Sequence, residues 1–312
     1  MRYKQLGKSD LNISVVGLGT WAMGNDFFGK VDDSASIDTI RKAVESGINV
    51  IDTAPAYGNG HSEEVVGKAI KGIRDKVVIA TKCGLLRDGK KYIKTLDPQS
   101  LRKEIDGSLS RLGVDVIDLY QIHWPDPKTP IEDAVNELIK IKAQGKFKYL
   151  GVSNFNRELM EKVMSMTEIV SLQPQYSLLS REEEGMLEFC RNNGIGVLSY
   201  GSLGGGMLSG KYKEMPKFEQ GDERYLFYPF FKEPMWSKSV KLVEVLKGIA
   251  EKHNKPVAHV AINWVNQNKA VTTALVGAKY PAQAEANAAA GDWELTSDDI
   301  DEINNQYKKI FR

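Results

Sequence analysis

Eight short apolar, β-branched runs, each followed by a helix-like stretch, constrain this chain more than any other feature of it. They fall at 15–19, 49–52, 77–81, 117–122, 149–153, 169–173, 196–200 and 273–276. Their near-continuous apolarity suits strands buried on both faces of a parallel sheet, not half-exposed alternating strands. Asp33-Ser34 opens a first helical segment, with Ile37, Ile40 and Val44 on one face and a stop at Gly47. His61-Ser62-Glu63-Glu64 opens a second, and Asp97-Pro98 and Thr129-Pro130 set a proline at the start of two more, ending near Gly113 and Gly145. Further helices are expected at 156–166, 182–193, 237–253, 256–268 and 281–290. Eight strand–helix units within 312 residues predict an α/β protein, a single (β/α)8 barrel domain over 1–312. The alternative is a doubly wound sheet in two lobes. Neither a dinucleotide glycine motif on the first strand–helix turn nor a Pro/Gly/Ser-rich linker supports it.

Two departures from a plain barrel are expected. Residues 3–14 read as two short strands around a turn at Gly7, a hairpin that would plug the N-terminal mouth. A long connection also separates the seventh and eighth runs. Its stretch 211–236 holds Tyr212, Phe218, Tyr225, Phe227, Tyr228, Phe230, Phe231 and Trp236 without a firm secondary-structure signal. Such a loop reads as a lid over cofactor or substrate, its aromatic middle facing the pocket.

Composition narrows the function classes. Forty-two Lys+Arg against 41 Asp+Glu leave a net charge of +1, so there is no bulk attraction to nucleic acid or an anionic membrane. No run of about 18 apolar residues would span a bilayer, and residues 1–5 lack the apolar core of a signal peptide. Two cysteines far apart and four scattered histidines give little from which to build a zinc site. The expectation is a cytoplasmic enzyme that needs no metal and is either a monomer or a homo-oligomer.

Barrels of this kind gather their chemistry at the C-terminal ends of the strands. Those ends carry Gly19-Thr20-Trp21, Asp52 with Tyr57 in the following loop, Lys82, His123-Trp124, Ser153-Asn154, Gln173, Tyr200 and Gly277-Ala278-Lys279. A carboxylate, a phenol, an ammonium and an imidazole thus emerge from three consecutive strands.

Taken in order, Gly17-Leu18-Gly19-Thr20-Trp21, the stretch from Asn49 through Asp52 and Tyr57 to Gly58, Ala80-Thr81-Lys82, Tyr120-Gln121-Ile122-His123, Gly151-Val152-Ser153-Asn154-Phe155 and Gln173-Pro174-Gln175-Tyr176 are similar to the motifs of one family. The chain resembles the aldo-keto reductases, in the bacterial branch related to potassium-channel beta subunits, over essentially its whole length. The resemblance implies NAD(P)H-dependent reduction of a carbonyl, or the reverse, on a barrel without a Rossmann motif. It assigns Asp52, Tyr57, Lys82 and His123 to the catalytic tetrad. It assigns Ser153, Asn154 and Gln173 to the nicotinamide carboxamide and Tyr200 to its ring. Gly201, Ser202, Leu203, Gly205, Leu208 and Lys211 fall to the pyrophosphate, and Gly277, Ala278, Lys279, Gln283 and Asn287 to the adenosine 2′-phosphate and adenine. Gly19, Thr20 and Trp21 also border the cofactor. Trp21, Tyr57, His123 and Trp124 border a small carbonyl substrate, with Phe27 and Phe28 as further pocket walls. Lys279 favours NADPH, with NADH as the alternative coenzyme, since Ala278 and Gln283 depart from the residues many relatives carry.

The residues support that chemistry. Hydride delivered to a carbonyl carbon leaves charge on oxygen, which needs a proton donor and a polarising group. A phenol is a poor acid near neutrality, and a neighbouring ammonium lowers its pKa. Lys82 is expected to do this for Tyr57, with Asp52 holding Lys82. Asn154 has a second reading, as the cap of the helix at 156. A redox sensor that holds NADPH with little turnover, and a barrel aldolase or isomerase using Lys82 as a Schiff-base amine, are the other function classes. Residues 205–211 mimic a nucleotide-triphosphate loop, but Tyr212 stands where Ser or Thr would hold magnesium. Cys83 adjoins Lys82 and reads as a buried strand-end residue.

Overall fold

The eight expected runs are the eight staves of a closed parallel barrel. The structure, a computed structural model, describes residues 1–89 and 91–312. Its strands are β1 (Tyr3–Gln5), β2 (Asn12–Ser14), β3 (Val16–Gly19), β4 (Val50–Asp52), β5 (Val78–Cys83), β6 (Leu85–Asp88), β7 (Lys91–Lys94), β8 (Ile117–Ile122), β9 (Phe147–Ser153), β10 (Ser171–Gln173), β11 (Gly196–Ser199) and β12 (Val271–Gly277). The barrel runs β3-β4-β5-β8-β9-β10-β11-β12 and closes from β12 back to β3. Closure leaves no exposed edge and excludes the doubly wound sheet.

Intervening helices follow their start signals. Asp97 accepts the Ser100 N–H at 2.9 Å, Pro98 sits in the first turn, and Gly113 ends the helix left-handed. The helix 157–164 is capped by Asn156, whose side chain accepts the Leu159 N–H at 2.9 Å. Asn154 is therefore not the cap. The expected helices at 237–253, 256–268 and 281–290 appear as Met235–Lys252, Val257–Asn266 and Pro281–Ala288. Two elements lie beyond the sequence reading, the β6–β7 hairpin and a C-terminal helix Ser297–Phe311 opened by a Thr296/Asp299 capping box.

As expected, β1 and β2 pair antiparallel. Leu6, Leu11 and Ile13 pack on inward residues of the barrel, including Val50, Ala80, Leu119, Leu198 and Leu275, and seal its N-terminal end. All access is thus from the C-terminal end. There the segment 211–236, which carries no firm secondary-structure signal in the sequence, is partly ordered into short turns. It contains a helical turn Arg224–Phe227 and a 3-10 turn Pro229–Phe231. Phe230, Phe231 and Trp236 are buried in the main core, and only Phe227 and Tyr228 of its aromatics reach the cleft. Eight aromatics in a short stretch exceed what a pocket wall can hold, so several anchor the loop instead.

Candidate active site

A cleft of about 590 Å³ opens at the C-terminal end of the barrel. Strand register explains its floor. Gly19, Asp52 and Ala80 lie side by side on β3, β4 and β5, and Lys82, two residues on, shares the inward face of Ala80. Gln121 is the partner of both Lys82 and Gly151. A Cβ on Gly151 would lie 2.3 Å from Ser171 Oγ and 3.0 Å from Gln121 Cγ, so glycine there leaves the Gln121 side chain its space.

Lys82 is wholly buried and its Nζ donates to Asp52 Oδ1 at 2.6 Å, the Thr53 carbonyl at 2.9 Å and Tyr57 Oη at 3.2 Å. Asp52 Oδ2 accepts from the amides of Gln173 at 2.8 Å and Gln121 at 3.3 Å. Both carboxylate oxygens are therefore matched, as a buried charge requires. The His123 ring meets Tyr57 edge-on at 5.9 Å, and Trp21 stacks on Tyr57 at 5.8 Å between centroids. The expected tetrad comes together.

Its electrostatics correct one expectation. Burial pushes the Tyr57 phenol well above its ordinary value, and the Asp52 charge pushes it further. The Lys82 ammonium also donates to Tyr57 Oη, but burial and Asp52 outweigh it. Burial pulls Lys82 down, with Asp52 opposing. Burial and then the Lys82 charge hold His123 well below the usual imidazole range, so His123 is neutral near pH 7. Cys83 is buried and its thiol pushed well up by burial, which leaves no reactive thiolate.

The other side of the floor is a continuous polar chain. Tyr200 Oη donates to Asn154 Oδ1 at 2.9 Å, and Asn154 Nδ2 donates to the His123 carbonyl and Ser153 Oγ, both at 3.0 Å. Ser153 Oγ donates to the Gln173 carbonyl at 2.7 Å. Asn154 holds a left-handed φ of 60°, which its short amide tolerates and which aims that amide across the barrel. The Gln173 NH2 is engaged with Asp52, so its amide oxygen is the group left to receive a ligand N–H.

Beyond β11, residues 204–209 form a tight turn in which Gly205 and Gly206 take φ of 67° and 96°. A Cβ at Gly205 would strike the Tyr228 ring at 2.6 Å, so both backbone sign and space demand glycine. The N–H groups of Gly204, Gly206 and Leu208 bond within the turn. Of the residues expected at the pyrophosphate, Leu208 alone has its N–H engaged there, and it is buried beneath the cleft and does not line it. Gly201, Ser202, Leu203, Gly205 and Lys211 do line it, as do Gly277, Ala278, Lys279, Gln283 and Asn287.

Cations gather at this end. Lys211, Lys279 and Arg224 all line the cleft, Arg224 having no part in the sequence reading. Burial, then the Arg224 guanidinium, pulls both lysines below their ordinary values. Like charges kept together in a cleft fit a polyanionic ligand, and the buried, unpartnered indole N–H of Trp21 fits a ligand acceptor. The donor and acceptor set thus suits a dinucleotide. Above it, Glu223 N donates to the Phe27 carbonyl at 2.8 Å, Gly29 N to the Gly221 carbonyl at 3.2 Å, and Lys279 Nζ to the Phe28 carbonyl. Loops 25–31 and 219–224 so form a strap across the cleft. Among the described residues, no group of three or more His, Cys, Asp or Glu is placed to hold a metal ion, and no helix is long and apolar enough to cross a membrane.

Comparison with known proteins decides the family. A model of the aldo/keto reductase family matches residues 15–308. The chain belongs to the aldo/keto reductase family. It is 40% identical to the aldo-keto reductase YhdN of Bacillus subtilis over 97% of this chain and 93% of that one. It is 34% identical to an NADH-specific methylglyoxal reductase of Escherichia coli, over 96% of each. A solved glycerol dehydrogenase of Gluconobacter oxydans superposes with a TM-score of 0.91 at 37% identity, covering 98% of this chain and 95% of that one. This aldo/keto reductase is accordingly an NAD(P)H-dependent oxidoreductase acting on carbonyl and alcohol groups.

Proposed function

We propose that the chain, working as a single domain, reduces small aldehydes, ketoaldehydes or sugar-like carbonyls to alcohols with NADPH, Tyr57 giving the proton. The observation that carries this reading is Lys82 Nζ set between Asp52 and Tyr57 Oη, at 2.6 and 3.2 Å, on the floor of the cleft. The nicotinamide, when bound, supplies the hydride. Tyr57 stays protonated at neutrality because burial raises its pKa, so it is loaded as a donor. Lys82 acts after transfer, when its N–H stabilises the phenolate left on Tyr57. Neutral His123 donates a hydrogen bond to the carbonyl oxygen and fixes its direction. Asn154, Ser153 and Gln173 orient the carboxamide, and Tyr200 flanks the ring. Relatives described as a methylglyoxal reductase and a glycerol dehydrogenase suit the small polar carbonyls of this reading.

Steady-state oxidation of NADPH and NADH with methylglyoxal, glyceraldehyde and aromatic aldehydes tests it. Turnover of at least one, faster with NADPH, is expected. Tight coenzyme binding with negligible turnover throughout would overturn it in favour of a sensor.

Coenzyme choice rests on Lys279. Lys279→Ala is expected to weaken NADPH by roughly ten- to hundredfold, the loss of one charge-assisted contact, and NADH far less. Lys279 also ties the strap through the Phe28 carbonyl. Equal weakening of both coenzymes in a fluorescence titration would assign it to the strap alone.

The strap itself gives a further expectation. Its cross-cleft amides, Gly29 and Glu223, should exchange hydrogen more slowly with NADPH bound than without, if the strap opens to admit coenzyme. Identical protection by mass spectrometry in both states would make 219–224 a fixed wall.

A further inference from the structure

The β6–β7 hairpin stands beside the aromatic end of the cleft and carries an unmatched charge. Leu85 pairs with Lys94 and Arg87 with Tyr92, and the period of two puts these four side chains on one face. Leu85, Tyr92 and Lys94 of that face line the cleft. The face holds two cations with different fates. Arg87 pairs with Asp26, whose side chain is 7% exposed and whose carboxylate also accepts the Gly58 N–H at 3.0 Å, next to Tyr57. Lys94 has no carboxylate within ion-pair distance among the described residues. Its Nζ stands 4.2 Å over the ring of Trp124, the residue after His123.

The rest of the cleft makes that charge conspicuous. Among the described residues, the only acid in its lining is Asp52, already matched by Lys82. The other lining cations, Lys211, Arg224 and Lys279, belong to the glycine-turn and strap end. Lys94 is thus the one cation, among the described residues, on the end walled by Trp21, Tyr92 and Trp124. Contact with an aromatic face holds an ammonium in place while leaving N–H donors free.

We propose that Lys94 selects carbonyl substrates bearing an anionic group, carboxylate or phosphate, at the end remote from the carbonyl. This rests on the reductase reading above. With the carbonyl between Tyr57 and His123, the anion meets the Lys94 ammonium over Trp124. The hairpin then serves as a specificity element, its second cation neutralised by Asp26 so that one charge faces the substrate.

Two matched pairs test this: 4-oxobutanoate against butanal, and glyceraldehyde 3-phosphate against glyceraldehyde. The readout is the ratio of kcat/KM, anionic over neutral, for the wild type, Lys94→Met and Lys94→Gln. In the wild type the ratio should favour the anion by about tenfold, the range of one partly solvated charge contact. Both substitutions should bring it near one. A preference in only one pair, lost in both variants, identifies the anion as carboxylate or phosphate and supports the proposal. A wild-type ratio near one in both pairs, or a preference that survives in Lys94→Met and Lys94→Gln, overturns it. If none of the four compounds is turned over, methylglyoxal and the aromatic aldehydes decide whether the reductase reading stands. Calorimetry on the coenzyme-loaded protein then decides. Binding of 4-oxobutanoate about tenfold tighter than butanal, abolished in Lys94→Met, supports the charge assignment, and equal binding overturns it.

Discussion

Tyr57→Phe should lower carbonyl reduction at least about a hundredfold while leaving fold and coenzyme binding intact. The substitution keeps the ring that stacks on Trp21 and meets His123 edge-on. It removes only the hydroxyl 3.2 Å from Lys82 Nζ. Lys82 loses one of its three acceptors but keeps Asp52 Oδ1 and the Thr53 carbonyl, so a single N–H is left without a partner while the charge stays matched. Removing a positioned general acid costs about 10²–10⁴ in rate. The steep end of that range is expected here, because Tyr200, which also lines the cleft, is placed for different work. Tyr200 gives its hydroxyl to Asn154 Oδ1. Steady-state rates at saturating coenzyme, beside a thermal melt, make the check. A Tyr57→Phe protein with most of its activity would move the proton donor elsewhere, and His123 would be the first candidate.

Much of this site was legible because barrel strands advertise themselves twice. Their apolar runs mark both-faces burial, and the polar residues that end or follow each run mark the catalytic end. Asp52, Lys82, His123 and Gln173 all fall at such junctions. Residues lying within a run gave no such signal. Gln121 sits inside β8, between Tyr120 and Ile122, and reads as part of an apolar strand, although its amide supports Asp52. The β6–β7 hairpin escaped for the opposite reason. All four residues of β7 are exposed, so it shows no burial period, and with it went Lys94. The C-terminal helix was within reach, since Thr296 and Asp299 hold the spacing of a capping box. Asn154 and Asn156 could not be told apart by composition, because either fits a cap. The Tyr57 expectation failed on environment. Sequence places an ammonium near a phenol, but burial depth and the competing carboxylate decide which way the phenol shifts.

Lys82→Met separates the two roles that Lys82 holds, and its outcome should differ from that of Tyr57→Phe in stability more than in rate. Methionine fills nearly the same volume, so packing around this wholly buried side chain survives. The charge does not, and Asp52, itself 3% exposed, is left without its cation. Removing one partner of a buried ion pair costs about 3–5 kcal/mol. The lower end is expected, because Gln173 and Gln121 continue to donate to Asp52 Oδ2. Urea denaturation should show that loss for Lys82→Met and a smaller one for Tyr57→Phe, where a single N–H loses its partner. Turnover should fall in both by at least about a hundredfold, since a phenolate formed without the ammonium lacks its stabilising partner. The double variant should turn over little more slowly than the worse single variant, because residues acting as one unit are far from additive. Rate losses that multiply in the double variant would mean that Lys82 and Tyr57 act on separate steps. In that case the 3.2 Å contact between them would be structural, and Lys82 would serve only to balance Asp52.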